Sequence, residues 1–353
     1  MKIAMLLSGG VDSSVALALL QQQGHDITAF YLKIWLEDEL SYLGECPWEE
    51  DLAFARAVCE KLNVPLQVLP LQKEYKETII AYTIQEVKAG RTPNPDMLCN
   101  PYIKFGAFLD AVGKDFDKVA TGHYAGLIEK DGIYYLKQVP DPIKDQTYFL
   151  ARLSQVQLSK ALFPLDRYTK QEVRALAEQF DLPTKNRKDS QGLCFLGKIT
   201  FKDFIKHHVG IRKGPMVVYE TGKKIGMHDG FWFYTVGQRQ GLGLSHGPWY
   251  VVKKDPLTNT LYISNQYHDE NKQRDTFTIE DCMWNTIAPK ETFLVKIRHG
   301  AQIHSADLFL LSDGRYKVRL QASDQGIAAG QFAVFYQDGS VIGSAVISEG
   351  LDE

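Results

Sequence analysis

The chain has 353 residues, of which 44% are hydrophobic and 24% charged, with a net charge of −3. This composition is ordinary for a globular protein, and the length predicts roughly two or three domains. Because the net charge is slightly negative, any surface that binds nucleic acid must be a local basic patch. No apolar run approaches the ~20 residues of a membrane span, so we expect no membrane association. A motif begins already at Ser8, which leaves no room for a signal peptide.

The cysteines predict a reducing compartment. They are odd in number, widely scattered and never in a C-x-x-C pair: Cys46, Cys59, Cys99, Cys194 and Cys282. This pattern argues against a disulfide scaffold and against a tetrahedral zinc site. We therefore expect a cytoplasmic protein that binds no structural metal, with one or two reactive thiols among buried ones.

The first half of the chain alternates strand and helix patterns. Apolar runs predict strands at 3–7, 27–32, 66–69 and 119–121, and helical periodicity predicts helices at 13–23, 49–62 and 74–88. Strands that alternate with helices predict a parallel, doubly wound sheet covered on both faces. In such sheets, ligands bind at the carboxyl ends of the strands.

The second half of the chain has a different secondary-structure pattern. Thr169 and Glu172 form a capping-box pattern that predicts a helix to Phe180. From about residue 215, short β runs are separated by turn signals. We predict an α/β fold, with a parallel doubly wound sheet domain at 1–198, a small middle domain at 199–270 and a C-terminal β-barrel-like domain at 271–353.

The first strand leads into a glycine- and serine-rich loop that opens a helix. Such a loop can hold an anion, because glycines allow close backbone approach and the helix amino end carries positive charge. Asp12 would repel a phosphate, so it is expected to support either Mg²⁺ or the loop itself. The expected nucleotide-binding residues of the loop are Leu7, Ser8, Gly9, Gly10, Val11, Asp12, Ser13 and Ser14.

The loop is not a Walker A motif, because no lysine follows its glycines. It resembles the pyrophosphatase loop of enzymes that cleave ATP between the α and β phosphates and adenylate a substrate. The simpler interpretation is a serine-rich helix cap. The loop alone leaves several enzymes open, namely GMP, NAD and argininosuccinate synthetases, tRNA lysidine synthetases and thiolation enzymes.

Two cysteines lie in polar loops with charged neighbours. Cys99 follows a segment made rigid by Pro93 and Pro95, and Asp96 lies three residues before it. Cys194 lies in a glycine-flanked loop after Lys185, Arg187 and Lys188, and positive neighbours favour the thiolate. Each cysteine taken singly could be inert, as Cys59 on the apolar face of a helix is expected to be.

Six segments together resemble the tRNA-specific 2-thiouridylase family, in the same order and across nearly the whole chain. They are S-G-G-V-D-S-S at 8–14, A-G-R-T-P-N-P-D-x-L-C-N-x-x-I-K-F at 89–105, T-G-H-Y-A at 121–125, K-D-Q-T-Y-F-L at 144–150, K-D-S-Q-G-L-C-F-L-G at 188–197 and T-V-G-Q-R-Q-G-L at 235–242. The resemblance departs at Gly126, where family members often have arginine, and around 45–50. Neither departure touches Cys99, Cys194 or the loop at 8–14.

The resemblance implies an adenine nucleotide α-hydrolase-like fold and an enzyme that uses ATP and Mg²⁺ to replace the C2 oxygen of the wobble uridine, position 34 of tRNA, with sulfur. It implies that Cys194 carries a persulfide supplied by a sulfur-donor protein. Cys99 would release the sulfur by closing a transient disulfide with Cys194, and Asp96 would act as general acid or base. Leu32 and Gly122 would join the loop in binding ATP.

The same resemblance implies a set of tRNA contacts on both halves of the chain: Asn94, Pro95, Asp96, His123, Lys144, Asp145, Gln146, Arg298, His299 and Gln331. Other basic candidates for the anticodon arm are Lys104, Lys185, Arg187, Lys188, Lys198 and Lys202.

Two other functions remain open from the sequence. A small-molecule amidating synthetase would share the loop at 8–14 (the phosphate loop) but would not need Cys99 and Cys194 together. A non-catalytic protein that binds tRNA or carries sulfur would release no pyrophosphate from ATP, and the complete loop argues against it.

Overall fold

A computed structural model describes residues 1–34, 48–188, 199–266, 274–285, 292–324 and 326–350. Cys46 and Cys194 lie outside these residues. Within the described ranges, no helix combines the length and the apolar character that a membrane crossing requires.

The N-terminal region is built on the parallel sheet that the sequence predicts. Its five strands pair in the order β3-β2-β1-β4-β7, all parallel. The strands are β1 Lys2–Leu6, β2 Asp26–Lys33, β3 Leu66–Pro70, β4 Lys118–Ala120 and β7 Ala161–Leu162. The first turn after β1 therefore lies at the carboxyl edge of the sheet, where ligands bind in this architecture.

Helices cover both faces of this sheet, as the apolar strands require. Along β1, Ile3 and Met5 point into one buried cluster, and Ala4 and Leu6 point into the other. The first cluster contains the buried faces of α1 Val11–Gln22, α2 Trp48–Leu62 and α9 Lys170–Gln179. The second is formed with the helices α3 Gln72–Tyr75, α4 Ala81–Lys88, α5 Pro95–Cys99, α6 Phe108–Val112, α7 Thr147–Leu150, α8 Gln155–Lys160 and α10 Phe201–Val209.

The predicted helix at 74–88 is present but not regular. A π-helical turn, Lys76–Ile80, separates α3 from α4. Another π-helical stretch, Asn100–Ala107, follows α5 directly and places it next to α6. Side-chain periodicity cannot reveal such turns, because the apolar face continues through them.

The remaining sheets are antiparallel in most of their pairings. The middle region holds a four-stranded sheet in the order β10-β11-β8-β9, and the C-terminal region holds six strands that close when β12 pairs with β17. The bounds are β8 Gly214–Val218, β9 Lys224–His228, β10 Tyr250–Asp255, β11 Thr260–Ser264, β12 Thr276–Trp284, β13 Phe293–Lys296, β14 His304–Leu310, β15 Tyr316–Leu320, β16 Phe332–Gln337 and β17 Ser340–Gly350. The predicted C-terminal barrel is thus confirmed.

A hairpin from the first half of the chain extends the barrel sheet. Its strands are β5 Gly126–Lys130 and β6 Ile133–Lys137, and β6 pairs with β17 through Lys137 and Ser340. The two turn residues, Asp131 and Gly132, both have positive φ, 54° and 77°. Asp-Gly is a common two-residue hairpin turn, so the sequence held a signal for this hairpin that the strand analysis missed.

Buried hydrogen bonds fix the barrel against the N-terminal region. Tyr148 donates its hydroxyl to the carbonyl oxygen of Phe332 at 3.1 Å, and Ser344 donates to the carbonyl oxygen of Ala151 at 3.1 Å. Both bonds are buried, so separating the two regions would break them and expose apolar surface that they now hold together.

The predicted capping box at the start of α9 is present, and it yields a stability prediction. Thr169 Oγ1 accepts from the Glu172 N–H, and the Glu172 carboxylate accepts from the Thr169 N–H. Thr169→Ala should lower the free energy of unfolding by about 1 kcal/mol, because it leaves an amide of the first turn unpaired. Chemical denaturation measures this, and Thr169→Ser, which keeps the hydroxyl, is the control. An equal loss in both variants would contradict the role of the cap.

Candidate functional site

The loop between β1 and α1 has the backbone geometry that close anion binding requires. Gly9 has a φ of +75°, and a Cβ there would overlap the carbonyl oxygen of Asp51. Ser14 and Ser13 donate their hydroxyls to the Gly10 carbonyl oxygen at 2.8 and 3.2 Å. The serines therefore tie the loop to itself, and no side chain caps the helix at Gly10. The amides of the first helical turn are left to receive an anion.

Asp12 is held by two donors at one carboxylate oxygen. Lys170 Nζ lies 2.6 Å and the Tyr124 hydroxyl 2.7 Å from Asp12 Oδ1. These bonds tie the start of α1 to α9 and to the segment after β4, and the choice between the two roles predicted for Asp12 stays a prediction. Its other oxygen, Oδ2, makes no hydrogen bond within the part of the chain that the structure describes.

Arg187 braces the same loop from the other side. Its guanidinium donates to the carbonyl oxygen of Gly9 at 2.7 Å and to Asp51 Oδ1 at 2.7 Å. Arg174, on α9, donates in turn to the carbonyl oxygens of Lys185 and Arg187. Arg187 therefore stabilises the phosphate loop, a role that its sequence context did not indicate.

Gly122 packs against the start of α1 after β4 ends. A Cβ at this position would lie 2.6 Å from the Ser13 nitrogen and 2.8 Å from its Cα, so only glycine fits. Leu32, near the carboxyl end of β2, is half-buried, whereas Leu7 and Val11 are buried in the core beneath the loop. Leu7 and Val11 can therefore offer a nucleotide little more than their backbone.

Cys99 ends the short helix α5, which begins with Pro95 after Asn94. The thiol is buried, with 2% of the residue exposed, and Asp96 is half-buried one turn earlier. The predicted rigid turn therefore exists. Cys194 lies outside the described residues, so its pairing with Cys99 stays a prediction.

A contact between Lys104 and His123 links the helical stretch after α5 to the strand end that packs against the phosphate loop. Lys104 Nζ lies 3.5 Å from His123 Nε2, and His123 Nδ1 lies 2.8 Å from Thr121 Oγ1. Burial and then the Lys104 charge hold the pKa of His123 well below its usual value, so His123 is neutral. Burial raises the pKa of the Asp96 carboxyl, and the Lys104 charge opposes the rise.

The segment before α5 is clamped by the C-terminal barrel. Gln331 Nε2 donates to the carbonyl oxygens of Thr92 and Pro93 at 3.1 and 3.3 Å. The Thr92 N–H donates to the Ala329 carbonyl oxygen at 2.8 Å. Gln331, predicted to contact tRNA, therefore holds the backbone that leads to Cys99.

The other predicted tRNA contacts divide into exposed and buried groups. His299 is exposed to solvent on one side and packs on Phe149 on the other, with ring centroids 4.5 Å apart. Partial desolvation of the ring and then the Lys296 charge lower its pKa, which favours a neutral ring that can stack on a base. Asp145 is only 1% exposed, accepts from Thr147 and lies 3.8 Å from Lys296, so its carboxylate supports the fold rather than facing solvent.

Gln146, Arg298 and Lys144 also have local structural surroundings. The Gln146 side chain accepts from the Tyr124 N–H at 3.0 Å, which steadies the strand end that bears His123. Arg298 makes two hydrogen bonds to Asp324. Burial alone would raise the pKa of Asp324, but bonds from Arg298 and a backbone amide outweigh it and lower the pKa. Lys144 is half-buried in the turn that begins at Asp141.

Sequence reasoning missed Lys170 as a member of the site. It is the first residue of α9, directly after the capping threonine, and lies 158 positions from Asp12. A lysine after a cap is common on solvated helix starts, so nothing in the local pattern indicated a long-range pair. Gly126, at the family's arginine position, begins β5, where a Cβ would lie 3.1 Å from the Lys137 carbonyl oxygen.

The fold and the phosphate loop define a nucleotide-binding α/β protein with two smaller β domains. The family model described as "tRNA methyl transferase HUP domain" matches residues 1–198. The models described as "tRNA methyl transferase PRC-barrel domain" and "Aminomethyltransferase beta-barrel domain" match residues 202–265 and 274–347.

Relatives along the full length identify the family. A protein named tRNA-specific 2-thiouridylase MnmA from Parabacteroides distasonis is 46% identical over 343 residues, 95% of both chains. A second, from Bacteroides thetaiotaomicron, is 46% identical over 356 residues, 99% of this chain and 100% of its own. The domain descriptions name a methyl transferase, but the full-length matches decide the family. The chain belongs to the tRNA-specific 2-thiouridylase family.

The contact between Gly122 and α1 yields a prediction. Gly122→Ala should displace the loop, because the new Cβ meets backbone atoms of Ser13 that cannot rotate away. We expect ATP-dependent pyrophosphate release to fall by about 10²-fold, the effect of a shift of about 1 Å in a positioned site. Gly24→Ala is the control for a strained alanine away from the loop, since Gly24 has a φ of +74° but open space around it. Equal activity of Gly122→Ala and Gly24→Ala would contradict the close packing.

Proposed function

We propose that this chain is a tRNA-uridine 2-sulfurtransferase that makes 2-thiouridine at position 34. ATP adenylates the C2 oxygen, and sulfur from a cysteine persulfide replaces it, giving 2-thiouridine, AMP and pyrophosphate. One observation carries the proposal: Gly122 abuts the phosphate loop, and the adjacent His123 contacts Lys104 on the helix that follows Cys99. Family membership supports the same reaction.

The phosphate loop supplies the site for adenylation. Its glycine turn and first-turn amides would hold the β and γ phosphates of ATP, with the α phosphate facing the uridine oxygen. Mg²⁺ would screen the phosphate charge when bound. Asp12 Oδ2 fits a cation that takes one carboxylate and completes its shell with phosphates and water, and the described residues contain no group of three metal-ligating side chains.

The two cysteines would carry the sulfur step. A sulfur-donor protein would leave a persulfide on Cys194, whose outer sulfur attacks the adenylated C2 carbon as AMP departs with the original oxygen. Cys99 would then attack the inner sulfur, so that the Cys99–Cys194 disulfide forms and the new sulfur stays on the base. The next turnover would require a thiol reductant to reopen this disulfide.

Asp96 is placed to move protons during these steps. It lies one turn before Cys99, and its pKa is raised by burial, which brings a carboxyl group closer to the working pH. Lys104 would stabilise negative charge that develops between the loop and α5. His123, being neutral, would contribute hydrogen bonds rather than charge.

The tRNA would approach over the edge where α5, the β4 carboxyl end and the barrel meet. Asn94, Pro95 and His123 would face the flipped uridine, and His299 on Phe149 would stack on a neighbouring base. Lys144 and Arg298 would lie near phosphates. We propose functional domains at 1–198, 199–270 and 271–353, and a cytoplasmic location where tRNA and the donor meet.

The cysteine roles are tested in a single-turnover assay with unmodified tRNA, Mg-ATP and a persulfide source. Cys99→Ser and Cys194→Ser should each abolish thiolation, while pyrophosphate release survives Cys194→Ser because adenylation comes first. Cys282→Ser is the matched control, since burial raises the pKa of this half-buried thiol to about 11 and keeps it inert. Thiolation that persists without Cys99 would contradict the role of this cysteine. If the wild type forms no thiolated tRNA but releases pyrophosphate with a small substrate, an amidating synthetase that leaves both cysteines as bystanders is favoured.

The charge of Lys104 should affect how the thiolation rate depends on pH. Because Lys104 opposes the rise in the pKa of Asp96, Lys104→Met should move the acid limb of the thiolation rate to higher pH. Lys104→Arg should leave the limb near its original position, and Asp96→Asn should remove it. A limb that moves with His123→Gln instead would contradict the assignment of this titration to Asp96.

A further inference from the structure

The ion pair between Lys170 and Asp12, beside the phosphate loop, is held in place by several contacts. Lys170 Nζ and the Tyr124 hydroxyl both lie on Asp12 Oδ1, at 2.6 and 2.7 Å. The Lys170 side chain is 15% exposed and that of Asp12 34%. Three segments far apart in the chain therefore converge on one oxygen atom at the second residue of α1.

The lysine backbone is fixed as well as its ammonium group. The Lys170 N–H donates to Asp141 Oδ2 at 3.1 Å, and the preceding Thr169 caps α9. The helix α9 packs against α1 in the same buried cluster. The position of the ammonium relative to the loop is therefore determined by the fold, and not by a freely moving side chain.

The Asp12–Lys170 ion pair compensates a negative charge that would otherwise oppose phosphate binding at this loop. Asp12 lies in the first turn of α1, whose amides are the proposed anion site, so an uncompensated carboxylate would repel the phosphates of ATP. Two unit charges about 6 Å apart, at an effective dielectric constant of about 20, change affinity by about 100-fold. A cation held 2.6 Å from the carboxylate cancels most of this repulsion.

We propose that Lys170 is a positioning residue of the nucleotide site, which neutralises Asp12 so that the loop can accept the pyrophosphate portion of ATP. This inference rests on the proposed use of ATP. In this role Lys170 acts through Asp12 and stays on it when the nucleotide binds. The Tyr124 hydroxyl donates to the same oxygen without adding charge.

The alternative is a lysine that leaves Asp12 and binds a phosphate itself. The two roles differ in what happens when Asp12 loses its charge. If Lys170 works by neutralisation, adding Asp12→Asn to Lys170→Met restores the net charge beside the loop and with it the binding of the wild type. If Lys170 is a direct phosphate ligand, the double variant still lacks that contact and stays weaker than the wild type.

The test is the dissociation constant of the full-length protein for a non-hydrolysable ATP analogue, measured by calorimetry in EDTA so that the proposed Mg²⁺ contact of Asp12 does not enter. Lys170→Met keeps the apolar stem and should weaken binding by about 10- to 100-fold. The double variant Asp12→Asn/Lys170→Met carries neither charge and should bind within about threefold of the wild type. Tyr124→Phe, which removes a hydrogen bond and no charge, should weaken binding by less than about tenfold. Thermal melting of each variant checks that the fold is retained.

A double variant that binds as weakly as Lys170→Met alone would overturn the inference and make Lys170 a phosphate ligand. A Tyr124→Phe variant as weak as Lys170→Met would also overturn it, because orientation and not charge would then dominate. If the wild type binds no ATP analogue at all, with Mg²⁺ or without it, the proposed function fails first and this inference falls with it. The wild-type measurement therefore separates the two failures.

Discussion

The site depends on one close backbone contact, that of Gly122 with the first turn of α1. No side chain separates the end of β4 from Ser13, so the phosphate loop and the strand end that bears His123 are held as one rigid edge. Gly9 packs equally closely against the carbonyl oxygen of Asp51 on α2. The Arg187 guanidinium donates hydrogen bonds to both Gly9 and Asp51. An adenylating site needs such rigidity, because amide dipoles stabilise a phosphate only when they point at it before it arrives.

The second constraint is the set of contacts by which the barrel holds the segment before Cys99. Gln331 and the Ala329 carbonyl hold both sides of Thr92, and Gly330 packs against Arg91 and Thr92 so closely that a Cβ would lie 2.8 Å from the Arg91 Cβ. The barrel is therefore part of the architecture of the cysteine site as well as a candidate surface for RNA.

The sequence predicted most of the α/β core because apolar periodicity and turn chemistry are local. The strand β1, the loop glycines and the capping box at Thr169 were found where expected. The hairpin at 126–137 was missed although its Asp131-Gly132 turn is a local signal. The π-helical turns were missed because they leave the side-chain periodicity unchanged. The pairs Asp12–Lys170 and Gly9–Arg187 were out of reach, because a contact across 158 or 178 positions leaves no local pattern.

The central claim is that the uridine oxygen is activated by ATP before sulfur replaces it. The most direct measurement uses tRNA whose target uridine carries ¹⁸O at C2, in a single turnover with Mg-ATP and a persulfide source. Mass spectrometry of the nucleotide product then locates the label. The account predicts that the ¹⁸O appears in AMP in proportion to the thiouridine formed. Label released into water, with unlabelled AMP, would contradict it.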